Sequence, residues 1–245
     1  MASLATALAL VLVACGGSDT LRPDEGAARF DYTYFFRDGR FLALLTFEGG
    51  LVYGFYQSDF AAPTYPEYAY AGFFTASHSS RYNQDLVRVG TEYRFDERDA
   101  ISIKLRLADP SGDTVFGILT QANGGEESPF SVRESTNSQL PTELATLQGV
   151  YSVQARSASG SFKASGTVDA HGRLSIASGL CSIETSLSPR LLGNLYDVVA
   201  IVSSGCQLGE GSYTGHALQA YGLSNLYVFL TAPGRNGIML LLYQS

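Results

Sequence analysis

Lysine is nearly missing from this chain: Lys104 and Lys163 stand against fourteen arginines, and 23 acids outnumber 16 bases. We read the arginine preference as composition bias rather than function. The net charge of −7 argues against nucleic acid as a partner and against charge-driven adhesion to anionic lipid, since both need a basic face. Histidine is scarce too. His78, His171 and His216 share neither an i, i+4 nor an H-x-H spacing, so no metal site is expected. Serine is abundant, yet no G-x-S-x-G elbow occurs, and Ser159 and Ser161 each miss the S-x-x-K spacing to Lys163 by one residue. No stretch of ten or more residues after the N-terminal segment has clean helical periodicity, so no helix is expected to receive a phosphate loop. The best helical candidate is one turn near Pro141 to Leu147. No catalytic residue, cofactor or metal is assigned.

What is present points to strands. The chain is 45% hydrophobic and 12% aromatic, with 26 Gly, 15 Tyr and 14 Phe but no Trp and 2 Met. That composition suits many short strands joined by tight turns and is rich enough to bury cores. Ile101, Ile103, Leu105 and Leu107 alternate with Ser102, Lys104 and Arg106, as a half-buried strand requires. Phe162, Ala164, Gly166 and Val168 alternate with Ser161, Lys163, Ser165 and Thr167, and Tyr151-Val153-Ala155 and Leu174-Ile176 repeat the pattern. Turn signals punctuate these runs at Arg37–Arg40, Glu48–Gly50, Asp109–Asp113, Asp169–Gly172 and Pro233–Gly237.

The N-terminal segment has a different logic. The apolar run Leu4–Val13 has the length of a signal-peptide core and falls short of the roughly 18 residues of a spanning helix. Leu12-Val13-Ala14-Cys15 resembles the lipobox of bacterial lipoproteins, although no Lys or Arg precedes the apolar run. The resemblance implies cleavage before Cys15, a diacylglyceryl group on its thiol and acylation (palmitate) of the new amino terminus. Several acyl chains give stable membrane anchoring where one does not. Gly16 rather than Asp after the cysteine implies, by Gram-negative sorting, the outer membrane, with the body in the periplasm or at the cell surface. If Cys15 carries lipid, Cys181 and Cys206 remain as an even pair in an oxidising compartment, and a disulfide is expected.

The expected organisation is a signal peptide (1–14), a lipidated tether (15–29), a first β domain (30–122), a linker (123–147) and a second β domain with the disulfide (148–245). The fold class is all-β: two tandem small antiparallel β-barrels or β-sandwiches. The tether, fully stretched, reaches about 50 Å. The residues 107–121 lie over 230–244 at a constant offset of 123, and Thr46–Gly50 lies over Thr167–Gly172 with one gap, which points to duplication. A transmembrane barrel is disfavoured, because strands such as Phe162–Val168 carry polar residues on one face. The second half, through Gly179-Leu-Cys181, Asn194-Leu-Tyr196, Cys206, Tyr213-Thr-Gly215-His-Ala217 and Leu226-Tyr-Val, resembles uncharacterised β-rich lipoproteins of Gram-negative bacteria. That resemblance implies a small antiparallel sandwich or barrel with a disulfide, and no activity.

Two function classes follow. The leading one is a lipid-anchored envelope protein that binds or assembles without catalysis, its partners being the membrane through the anchor and an envelope protein or glycan. The aromatic segment from Tyr53 to Phe74 supplies its candidate binding rings, Phe60, Tyr65, Tyr68 and Tyr70, with Pro63 and Pro66 limiting the entropy lost on ordering. The alternative is a hydrolase, or an inhibitor of one, with loop-borne residues. In it, Glu184 and Asp197 could face each other as acid and base, or His216 could sit beside a nucleophile in a deep polar pocket.

Overall fold

A computed structural model of the chain describes residues 28–32, 42–47, 51–57, 70–82, 85–96, 100–108, 114–121, 124–125, 127–134, 143–190, 195–219, 225–234 and 236–244. Cys15, Phe60, Tyr65 and Tyr68 lie outside them. The described residues form sixteen antiparallel strands in two closed eight-stranded barrels. The first comprises β1 (Ala28–Tyr32), β2 (Leu42–Phe47), β3 (Val52–Gln57), β4 (Tyr70–Tyr82), β5 (Asp85–Arg94), β6 (Ile101–Leu107), β7 (Thr114–Gln121) and β8 (Glu127–Glu134). The second comprises β9 (Gly149–Ser157), β10 (Gly160–Val168), β11 (Arg173–Ser178), β12 (Cys181–Pro189), β13 (Leu195–Val202), β14 (Gly211–Gln219), β15 (Asn225–Thr231) and β16 (Ile238–Gln244). Closure removes the edge strands that an open sheet would leave unpaired.

The alternations read from sequence set the barrel walls. Ile103, Leu105 and Leu107 are buried in the first core while Ser102 and Lys104 are exposed. In β10, Phe162, Ala164 and Val168 face the second core and Ser161, Lys163, Ser165 and Thr167 face solvent. An eight-stranded barrel is just wide enough for side chains or one small ligand, and here two rings pack over glycines. A Cβ at Gly54 would sit 2.2 Å from the Phe74 ring, and one at Gly117 would sit 2.2 Å from the Phe130 ring. One end of the second barrel is plugged by a single 3-10 turn, Leu144–Leu147, the helical turn expected near Pro141 to Leu147. Leu147 is fully buried, and its carbonyl accepts from the Tyr151 hydroxyl at 2.7 Å.

Two expected boundaries move. Strand β1 begins at Ala28, within the stretch taken as tether, and β8 lies inside 123–147, the stretch taken as linker. Glu, Ser and Pro disguised β8, but it needs only Phe130 and Val132 on its inner face, and both are buried. This strand closes the first barrel by pairing with β7 and β1.

The offset of 123 holds face as well as position. It lays inward Ile103, Leu105 and Leu107 on inward Leu226, Val228 and Leu230, and Leu119 on Leu242. Strands β6 and β7 thus match β15 and β16, nine places on. The other likeness, Thr46–Gly50 to Thr167–Gly172, sets β2–β3 on β10–β11, only eight places on, so the two are one strand out of phase. In ring order β8 stands between β7 and β1, and β9 between β16 and β10. The runs β1–β7 and β10–β16 therefore correspond, and the closing strand comes last in one barrel and first in the other.

Candidate functional site

The barrels are joined by a seam. Strands β2, β3, β15 and β16 are apolar on both faces: Leu42 to Leu45 and Ile238 to Leu242 are buried without interruption. The inner residues fill the barrels, so the outer ones need another cover. They find it in each other. Ala43, Leu45, Tyr53, Phe55, Tyr70 and Phe73 of the first barrel form one buried cluster with Leu195, Leu218, Phe229, Met239 and Leu241 of the second. Phe55 stacks on Tyr227 with centroids 5.1 Å apart, and Phe73 and Tyr53 meet Phe229 at 5.5 and 5.9 Å.

Polar contacts fix the register of this seam. Arg156 of β9 donates through Nη1 to the Tyr70 carbonyl at 2.6 Å and lies over the Phe95 ring. On β14, His216 places Nδ1 2.9 Å from the Tyr53 hydroxyl and Nε2 3.2 Å from Asp197 Oδ1. Arg190 donates to the same Oδ1 through Nε at 2.9 Å and Nη2 at 2.8 Å. The hydrogen bond from His216, and then the Arg190 guanidinium, hold the Asp197 carboxyl down at about 2. Asp197 therefore remains an acceptor for His216 at any pH near neutrality.

An acid, an imidazole and a hydroxyl in line invite a catalytic reading, but their setting argues for cohesion. Tyr53 is 5% exposed and His216 8%, both enclosed by the seam. Glu184 does not join them. In the β12–β13 ladder Glu184 stands opposite Ile201 and Asp197 opposite Ser188, and Glu184 instead accepts from the Ser175 hydroxyl at 2.6 Å. The expected Glu184–Asp197 pair is thereby corrected: four ladder positions separate the two. Asp169 behaves as a turn acid, accepting from the His171 and Arg173 amides at 2.8 and 2.9 Å. Those backbone bonds, Arg173 first, lower its pKa.

Tyr70, expected to offer its ring to a partner, is 4% exposed and packs edge-on against Phe55 and Tyr227. It is a seam residue. Of the described rings of the aromatic segment, Tyr53, Phe55, Tyr70 and Phe73 pack against the neighbouring barrel, while Tyr56 and Phe74 fill the first. Cys181 and Cys206 form the expected disulfide, with Cα atoms 4.2 Å apart, tying the β11–β12 turn to the loop after β13.

Beside the seam, at the disulfide-bearing end of the second barrel, the barrels diverge and leave a cleft of about 920 Å³. Thr91, Tyr93, Ala100 and Ser102 form its wall on the first barrel. The second contributes Ser159, Glu210, Thr214, Thr231 and Asn236, with Gly209 and Gly234 at its rim. Among the described residues, Glu210 is the one carboxylate in this lining, and the hydroxyls and the Asn236 amide supply both donors and acceptors. The size is that of an ordinary small-ligand site. Sequence reading missed this cleft because neither half contains it; only docking creates it. The signal that was available is the both-face apolarity of β2 and β16, which announces a covered outer wall. No protein-family model and no curated protein matches the chain.

Proposed function

We propose that this chain is a lipid-anchored binding lipoprotein of the cell envelope that holds its ligand in the cleft between the barrels without catalysis. The observation that carries this reading is the cleft itself: two walls, from separate barrels, converge with hydroxyl and amide groups and one carboxylate, Glu210. Such a lining suits a polar, hydrogen-bonding surface, either an envelope glycan or a segment of envelope protein. The lipobox at Cys15 supports the address. The alternative of a loop-borne hydrolase loses its best support, since His216 is buried in the seam and does not line the cleft.

Two measurements test this reading in the full-length protein expressed in a Gram-negative host. Cys15→Ser is expected to abolish labelling by a radioactive fatty acid and to move the body out of the membrane fraction; unchanged membrane retention would overturn the anchor. Ser102→Trp and Ser159→Trp, both at exposed cleft positions, are expected to fill the opening. Capture of envelope components, identified by mass spectrometry, should fall at least tenfold, with stability altered by less than about 1 kcal/mol. Equal capture by the blocked variants would remove the cleft from consideration.

A further inference from the structure

The inner face of β5 carries two buried charged residues, Arg88 and Glu92, with Gly90 between them and Arg94 at the strand's end. Glu92 is 3% exposed and satisfied: it accepts a short hydrogen bond from the Tyr56 hydroxyl and lies 3.3 Å from Arg94 Nε. Burial, and then the Glu92 charge, push the Tyr56 phenol far up, so it remains a neutral donor. Arg88 is different. It is 7% exposed, and its Nε and Nη1 have no hydrogen-bond partner among the described residues. Four residues of extended strand separate it from Glu92, about 13 Å, so that acid cannot neutralise it. Glu92 and Arg94 cancel each other. Among the described residues, Arg88 is left as an uncompensated positive charge inside the first barrel of an otherwise acidic protein.

A buried guanidinium without a counter-ion is strongly disfavoured, and a core position held by arginine calls for an anion. The surroundings narrow the choice. Leu105 stands opposite Arg88 across β5–β6, flanked by Ile103 and Leu107, all nearly or fully buried. A compact, heavily hydrated anion would lose its water against these walls, whereas a carboxylate on an aliphatic body matches one charge and an apolar wall together. Arg88 lies three residues, about 10 Å of strand, inside the β4–β5 end of the barrel, within reach of a ligand entering at that mouth.

We propose that Arg88 anchors an anion site in the first barrel, whose ligand is a monocarboxylate with an aliphatic tail. This site is independent of the cleft. The test is calorimetric titration of the full-length protein with decanoate, and with decanol as the uncharged counterpart. Decanoate is expected to bind at least tenfold more tightly than decanol, and Arg88→Met is expected to abolish that preference. A chain that binds neither, or an Arg88→Met variant that keeps the decanoate preference, overturns the proposal. Should Arg88→Met not fold, Arg88→Lys replaces it: retained charge with a lost guanidinium is expected to weaken decanoate at least threefold while leaving decanol unchanged, and equal decanoate affinity overturns the assignment.

Discussion

Gly237→Leu is expected to separate the two barrels. Gly237 is buried where β16 begins, and a Cβ built there would lie 2.4 Å from Phe73 Cζ and 2.6 Å from Tyr93 Cγ. Those rings are stacked on each other, 4.9 Å between centroids, and neither can swing away without disturbing Phe229 or Phe95 behind Phe73. Even alanine is too large for the gap. Overpacking of this kind costs about 1–3 kcal/mol where a core adjusts. A leucine exceeds what adjustment can absorb, so the seam rather than the barrels should yield. Differential scanning calorimetry is then expected to show two transitions for the variant and one for the parent. A single unshifted transition would mean that the seam does not depend on this close approach.

The second large effect concerns the disulfide. Cys181 and Cys206 are 25 residues apart and enclose β12 and β13. Removing both with serine releases a loop whose closure is worth roughly 3–4 kcal/mol in the chain-entropy model. The effect should be confined to the second barrel and its cleft-bearing loop, Ser203–Gly209, whose turns are otherwise held by bonds such as Cys206 N to Ser203 O. Urea unfolding of the double variant should report the loss as a lowered midpoint with a similar slope. A midpoint shift worth less than about 1 kcal/mol would show that the ladders alone fix this loop.

How much of this was legible beforehand depends on which face of a strand one asks about. Where one face meets water, the period of two is plain, and Ile101–Leu107 and Phe162–Val168 were readable as barrel wall. The pairing of Cys181 with Cys206 was expected from parity and from the oxidising compartment that the lipobox implies. Where both faces are covered, alternation vanishes. Runs such as Ile238–Leu242 state that they are buried but not against what. Tyr70 was misread for a related reason. Tyr53, Phe55, Tyr70 and Phe73 have the composition of a recognition surface, and recognition is what they perform, but of a neighbour in the same chain. The cleft follows from that docking, so it was invisible in either half. Strand β8 was hidden because its outer face is Glu, Ser and Pro, while two inward residues suffice for a strand.

The position of the closing strands sets an order of assembly. A chain emerging from its N-terminus has β1 to β7 in hand before β8 exists, and the first ring waits for Glu127–Glu134 to complete it. The second begins with its closing strand, which pairs with β10 at once and then holds an unpaired side until β16 arrives some eighty residues later. The two closures also differ in strength. Seven residue pairs join β9 to β16, whereas among the described residues β1 meets β8 at only Asp31–Glu134 and Tyr32–Arg133. Amide protons along β1 and β8 should therefore exchange ahead of those on β9 and β16. The first ring is the one built to breathe, and it opens along the line between β1 and β8.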